Sequence, residues 1–459
     1  MWNRSKERAT YHGRPITIDR MSQASYRSEF DPRPLNAVVR VPGSKSITNR
    51  ALVAAALADG TSLLTNVLLA EDTRRMMDTL RALGNRITVD EESNRAEVTG
   101  CRGLLPVEEA ELSCGNAGTV MRFCTALAAL GHGQYRLDGT ERMRKRPIGG
   151  LVDALRALGC GVEYHQAEGY PPMTVHAQGL CGGHVQFRAA ESSQWISALL
   201  LSAPYAAGDV FIEVARDVPS MPYVRMTLAV MERFGVIAIA DPRGLKPPAR
   251  LVIETPQRYQ GTTFTVEPDA TNASYFLAAP AVAGGRVSVK GLGTQSIQGD
   301  VAFVDVLEQM GCLVERALSE LNVQGPQPGT FLRGVDVDLN DIPDVVPTLA
   351  VVALFADSPT HIRNVANLRV KESDRLAALS RELTKLGANV TEHADGLTIV
   401  PPKALRPARI ETYGDHRLAM SFALAGLRCP GLVIEDPHCC AKAFPHFFEQ
   451  FGQMVARHP

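Results

Sequence analysis

Six short amphipathic segments, each closing on a hydrophobic residue and Gly, recur along the chain. They are "MMDTLRALG" to Gly84, "LVDALRALG" to Gly159, "VMERFG" to Gly235, "VLEQMG" to Gly311, "RELTKLG" to Gly387 and "FFEQFG" to Gly452. Successive glycines stand 75, 76, 76, 76 and 65 residues apart. So even a period marks a repeated structural unit, and Gly just past the last helical turn is the expected C-cap. Ahead of each segment lies a more apolar helical stretch, such as "NRALVAAALADG", "ASYFLAAPAVAGG" or "HRLAMSFALAGL". Strand-like runs such as "TSLLTNV", "RITVD" and "RVSVKGL" fall between and after the helices. Each unit therefore reads as strand, apolar helix, strand, amphipathic helix, then further strands, which implies α/β layers with right-handed crossovers.

The apolar helices have little polar face and must be enclosed. Six of them exceed one small core, so two domains of three units each is the natural division, with its midpoint near Thr263–Ala270. The chain stops just after the sixth amphipathic helix, which leaves the last unit without its final strands. "LNAVVRV", Leu35–Val41, is expected to join the C-terminal domain and fill that gap. The expected division is 44–265 for one domain, 32–43 plus 266–459 for the other, and 1–31 as a mobile extension. Two crossings, near Val41–Gly43 and Val266–Asp269, would form a hinge.

The charged motifs fall at equivalent places in the repeat. The apolar helices begin at "GSKSITNR", "CGNAGTVMR", "ESSQ", "PDATNAS", "DIPDVVP" and "YGDHR". Amphipathic helices begin with motifs such as "ERMRKRP", "VPSMPYVR", "NLRVKESDR" and "CCAKAFP". Read singly, Ser44, Asn116, Ser192 and Asp269 are N-caps. The cations do not fit that reading. Lys45, Arg50, Arg122, Arg146, Arg375, Arg417 and Lys442 stand at helix starts, where the helix dipole disfavours positive charge by about 0.3–1 kcal/mol each. The net charge of the chain is only −1, so the positive field is local. A general nucleic-acid or membrane-surface binder is disfavoured. Backbone N–H groups, dipoles and Arg/Lys donors gathered at one place make an anion site. So many partners imply a ligand carrying several negative charges.

Other classes are weaker. The longest nearly apolar run, Val345–Ala356, contains Pro347 and is too short to span a bilayer. Nine cysteines without a C-x-x-C pair suggest neither a disulfide framework nor a zinc site, and a reducing cytoplasm is the simplest setting.

The ordered set "PGSKSITNRAL", "GNAGTVMR", "RPIGGLVDALR", "SSQ", "DIPD", "NLRVKESDR", "GDHR" and "AKAFP" resembles the 5-enolpyruvylshikimate-3-phosphate (EPSP) synthase family from about residue 35 onward. The resemblance implies two inside-out α/β domains, each of three βαβαββ-type repeats with buried helices and outer sheets. It implies transfer of the carboxyvinyl group of phosphoenolpyruvate to the 5-hydroxyl of shikimate 3-phosphate, with phosphate released and no metal or organic cofactor. Carried over by motif, Lys45, Ser46, Arg50, Ser192, Ser193, Gln194, Ser220, Tyr223, Asp344, Asn367 and Lys371 would hold shikimate 3-phosphate. Lys45, Gly118, Arg146, Gln194, Arg375, Arg417 and Lys442 would surround phosphoenolpyruvate. Asp344 is the expected base for the 5-hydroxyl and Glu372 the expected proton donor to C3, with Lys45 and His416 as other candidates for proton transfer. Glyphosate is the expected inhibitor, a monomer the expected state, and neither nucleic acid nor membrane an expected partner.

Two positions depart from the family pattern. Phe123 follows "NAGTVMR" where Pro is usual, at what reads as a helix start, and His438 and Cys439 precede "CAKAFP". A sister family transfers enolpyruvate to UDP-N-acetylglucosamine using a loop Cys ahead of an Arg-Pro pair. No Cys lies between Cys124 and Cys160 here. A non-catalytic binder of phosphometabolites is disfavoured by Asp344 and Glu372, since carboxylates weaken an anion site unless protons must move.

Overall fold

The computed structural model describes residues 25–28, 33–187, 192–214, 218–240, 249–327 and 329–456. The six apolar stretches form helices Lys45–Leu57, Gly118–Ala128, Ser193–Ser202, Ala270–Ala283, Val346–Val352 and His416–Gly426. Every residue of Gly118–Ala128, Val346–Val352 and His416–Gly426 is buried, and so is every residue from Ile47 to Leu57. The strands lie outside them. Leu35–Val39 and Arg95–Thr99 alternate buried and exposed residues, one face on the helices and one in water. This is the inside-out arrangement. Helices occupy the centre because they have no polar side to offer solvent.

Each of the first five units builds one four-stranded sheet, and in the second, third and fifth the strand before the apolar helix pairs in parallel with the strand after it. Two antiparallel strands extend the sheet. In the second unit, Glu109–Ser113 lies beside His132–Asp138, then Met173–Gln178, then Gly161–Tyr164. The remaining complete units repeat this order.

The first strands of the first and fourth units are exchanged. Leu35–Val39 precedes the first buried helix in sequence, yet it pairs with Gly285–Val289 in the fourth unit. Thr263–Thr265 precedes the fourth buried helix and pairs with Leu63–Thr65 in the first unit. The crossings run side by side, tied by Ser44 N–H to Glu267 O (2.7 Å) and Asp269 N–H to Pro42 O (2.8 Å). The buried residues accordingly form two cores. One lies between Ile47 and Val266; the other joins Leu35–Val41 to residues 270–454.

Three expectations change. Leu35–Val39 enters the C-terminal half but does not complete the sixth unit. Ser25–Arg27 does so, pairing antiparallel with Val433–Glu435, so these residues of the expected extension belong to the fold. Residues 1–24 and 29–31 of that extension lie outside the described residues. The repeat glycines Gly84, Gly159, Gly235, Gly311 and Gly387 have φ between 86° and 107°, as a C-cap requires. Gly452 does not cap, because its helix continues from Phe447 to Ala456. No helix among the described residues is long and apolar enough to cross a membrane.

The exchanged strand generates a prediction. Ala37 is 6% exposed within the second core although it precedes the entire first half in sequence. Ala37→Asp would bury an unpaired carboxylate and should cost about 2–4 kcal/mol. In a Trp2→Phe background, Trp195 is the sole tryptophan and reports on the first core. Denaturant melts should show far-UV dichroism lost earlier in the variant, with the Trp195 fluorescence midpoint shifted less. Equal shifts would mean the halves unfold as one unit.

Candidate active site

Five of the six buried-helix starts converge on one cavity between the two halves. Lys45 and Ser46 reach it from the first buried helix, Gly118 and Thr119 from the second, and Ser192, Ser193 and Gln194 from the third. Ser220 and Tyr223 come from the start of helix Pro222–Arg233. The other half supplies Asp344, Asn367, Lys371, Glu372, Arg375 and Arg417. Arg50 and Arg146 complete the wall. Of the residues expected from sequence, all but Arg122, Lys442 and His416 line this cavity, and Lys442 is bonded to the lining residue Asp72.

The caps explain how the starts are aimed. Ser44, Ser192, Asp269 and Asp415 each accept a backbone N–H from the turn they open. Asp269 also accepts the N–H of Lys45 at 3.0 Å, so one carboxylate joins two helix starts at the crossing. Asn116 is not a cap. The helix begins after Ala117, while the Asn116 carbonyl receives Arg146 Nη1 (3.2 Å) and Lys442 Nζ (2.8 Å).

The cations are not left bare for a ligand, as their positions alone implied. Asp72 bridges the halves, accepting Lys45 Nζ at 3.0 Å and Lys442 Nζ at 2.7 Å. Arg375 is 1% exposed and contacts Asp415 (2.8 Å), Glu372 (2.9 Å) and Asp344 (3.2 Å). Arg417 reaches Asp344 at 2.7 Å, with Lys371 at 3.9 Å. Lys45, Arg50, Arg146, Lys371, Arg375, Arg417 and Lys442 still outnumber Asp72, Asp344, Glu372 and Asp415, so the site keeps a positive surplus. Asp72 escaped the sequence reading. An Asp near a helix N-terminus is what the dipole favours anyway, and nothing in "AEDTRR" distinguishes it.

These contacts set the proton affinities. Burial raises Asp344, but Arg417, Lys371 and Arg375 outweigh it and hold the carboxyl well below the usual carboxylate range. Burial likewise raises Glu372, and Arg375, Arg146 and Lys442 hold it well below its ordinary value. Burial, then the carboxylates of Asp300 and Asp344, keep the Tyr223 phenol protonated. His416 is wholly buried outside the cavity lining, with neither ring nitrogen hydrogen-bonded. Burial, then Lys45 and Arg417, drive its affinity for a proton down. It stands behind the site as a neutral ring.

Two arginines support the wall. Arg50 donates to Thr227 Oγ1 (2.7 Å), Ser46 O (2.9 Å), Tyr223 O (3.1 Å) and Ser197 Oγ (3.2 Å). Arg122 does not line the cavity. It donates to Gly118 O (3.3 Å) and to the carbonyl of Pro147 (2.7 Å), the residue that follows Arg146. Phe123 is not at a helix start but in the sixth position of Gly118–Ala128, buried, with the Arg50 guanidinium 5.2 Å from its ring centroid. Phe there keeps the helix hydrogen-bonded throughout and gives Arg50 a π face. Ser220 holds φ 63°, in the left-handed region, while its N–H donates to Asn340 O of the other half at 2.8 Å. Such a conformation in a non-Gly residue persists only where the surroundings enforce it.

Residues 31–451 match the family of EPSP synthase (3-phosphoshikimate 1-carboxyvinyltransferase). A 3-phosphoshikimate 1-carboxyvinyltransferase of Nostoc punctiforme is 48% identical over 92% of this chain and 97% of its own. A chloroplastic one of Arabidopsis thaliana is 45% identical over 100% of this chain and 91% of its own. In fold, the chain is similar to a solved EPSP synthase from Acinetobacter baumannii, with TM-score 0.77 at 24% identity over 94% of this chain and 97% of the other. The chain belongs to the EPSP synthase family, enzymes of aromatic amino acid biosynthesis that transfer the carboxyvinyl group of phosphoenolpyruvate to the 5-hydroxyl of shikimate 3-phosphate and release phosphate.

Proposed function

We propose that the cavity holds both substrates at once, in a monomer working in the cytoplasm, between domains 44–265 and 32–43 plus 266–459 that close about the paired crossings. Lys45, Ser46, Arg50, Ser192, Ser193, Gln194, Ser220 and Tyr223 take the shikimate 3-phosphate side from one domain, and Asp344, Asn367 and Lys371 from the other. Gly118, Arg146, Gln194, Arg375, Arg417 and Lys442 surround phosphoenolpyruvate, with Lys45 between the substrates. The observation that carries this reading is the meeting of Asp344 and Glu372 on one buried guanidinium, Arg375, within a site of surplus positive charge.

In this reading Asp344 takes the proton of the 5-hydroxyl as its oxygen bonds to C2, and Glu372 gives a proton to C3. The tetrahedral adduct then breaks its C2–phosphate bond, and C3 returns a proton as the double bond re-forms. With both carboxyls held ionised by the cations, Asp344 is a weak base and Glu372 has no proton to give. Substrate anions supply what is missing. Each anionic oxygen that pairs with Arg417, Lys371, Arg375 or Lys442 weakens the hold on Asp344 and Glu372, and their proton affinities rise on binding.

Three measurements test this. Asp344→Ala should lower kcat by about 10²–10⁴-fold while shikimate 3-phosphate still binds; near-normal turnover would remove Asp344 from the mechanism. Titration calorimetry in buffers of different ionisation enthalpy should show binding of shikimate 3-phosphate plus glyphosate near pH 7 taking up more protons than the Glu372→Gln variant does, by about one. An identical proton count would exclude Glu372 as the group that recharges.

The third concerns inhibition. A Cβ on Gly118 would lie 2.6 Å from Arg146 Nη2 and 3.0 Å from Cζ, so the guanidinium must turn aside. Glyphosate is longer than phosphoenolpyruvate and loses more from that displacement. With Gly118 and Thr119 in place, the wild type should be sensitive, competitively with phosphoenolpyruvate. Gly118→Ala should raise the inhibition constant far more than the KM for phosphoenolpyruvate. A wild type as tolerant as the variant would refute this account of the wall.

A further inference from the structure

Away from the groups assigned to the chemistry, one buried acid joins the two halves. Asp300 sits in the helical turn Gly299–Ala302 of the second half and is 3% exposed. Its Oδ2 accepts the hydroxyl of Tyr223, from the first half, at 3.0 Å. The same oxygen accepts Thr271 Oγ1, from the fourth buried helix. Oδ1 is buried and has no hydrogen-bond partner. A carboxylate with one bare oxygen, close enough to Asp344 to feel its charge, is a costly way to hold a turn. A turn held for its own sake needs no acceptor for a hydroxyl of the other half, so the side chain needs another reason.

The neighbouring residues supply it. A Cβ on Gly299 would stand 2.3 Å from Pro222 Cβ and 2.8 Å from its Cγ, so a side chain there would hold the halves apart at this point. No positive φ demands Gly at this position, so the close approach alone accounts for it. Pro222 adjoins Tyr223, and the strained Ser220 two residues earlier donates its N–H to Asn340 O in the second half. The short run Ser220–Tyr223 is thus gripped by Gly299, Asp300 and Asn340 together.

We propose that Asp300 is a positioning residue. Its carboxylate seats the Tyr223 hydroxyl against the second half, and the bare Cα of Gly299 lets Pro222 close onto the same turn, so that Tyr223 is presented to shikimate 3-phosphate only when the halves have come together. This rests on the cavity being the shikimate 3-phosphate site. Asp300 acts through Tyr223 and not on the reacting atoms.

The test uses the full chain and begins with turnover of shikimate 3-phosphate and phosphoenolpyruvate by the wild type; its absence would overturn the function and this proposal with it. Given turnover, Asp300→Ala should raise KM for shikimate 3-phosphate roughly tenfold, with a smaller change in KM for phosphoenolpyruvate. Tyr223→Phe should do the same, and the double variant should be no worse than either single one. Asp300→Asn should recover most of the loss, because its carbonyl oxygen still accepts both hydroxyls. Fully additive effects, or equal loss for both substrates, would reduce Asp300 to a structural acid while leaving the function intact.

Should Asp300→Ala fail to fold, Gly299→Ala decides. Its melting temperature without ligand should match the wild type, while the shikimate 3-phosphate concentration needed for compaction in small-angle scattering rises roughly tenfold. Compaction at the wild-type concentration would overturn the joint.

Discussion

A helix that is apolar on every side must be enclosed on every side, and this chain contains six. That constraint orders the rest of the molecule. Three such helices packed together exclude water only if their strands lie outside them, so each half is a helical core in a β wrapping. Enclosure along its length leaves a helix only its ends for contact with anything polar. The starts of five of these helices reach the cavity, which gathers their dipoles and the cations. The anion site follows from how the core had to be built.

Within that cavity the balance of charge is finer than a collection of cations. Asp72 joins Lys45 of one half to Lys442 of the other, and Asp344 pairs with Arg417, Arg375 and Lys371 within the second half. They also occupy donors that substrate oxygens would claim. In the proposed complex, binding would exchange internal partners for external ones, and the pairs that loosen would offset part of the Coulomb attraction to substrate. What changes strongly is the protonation of the carboxyls left behind. Such a site couples binding to acid–base chemistry through charge alone.

The repeat period, the buried helices and most of the cavity wall were legible in the sequence, because motifs recurring at equivalent points of a unit must meet when the units pack around a common centre. What escaped has common causes. The pairing of Ser25–Arg27 with Val433–Glu435 spans nearly the whole chain, and three residues carry no pattern. Asp72 and Asn116 look like ordinary helix-start residues whatever their side chains or carbonyls contact. Arg122 shares spacing with true cavity residues, yet its guanidinium turns to the carbonyls of Gly118 and Pro147. Gly452 has the sequence of a cap in a helix that does not stop. The importance of Gly299 and Asp300 depends on what stands opposite them, and spacing along a chain does not register that.

The exchange of first strands has a consequence for how the molecule is made. Leu35 pairs beside Gly285, 250 residues later, and Leu63 beside Thr263. A chain emerging from the ribosome produces Leu35–Val39 before the first half and must leave it without a partner while that half is synthesised. That half in turn cannot complete its first sheet until its last strand arrives. Both closures are long-range and slow to search. Between them, an exposed apolar strand and an open sheet edge coexist on one nascent chain, each able to pair with the wrong neighbour. The doubled crossing that ties the finished halves together therefore makes the unfinished chain most vulnerable at Leu35–Val39.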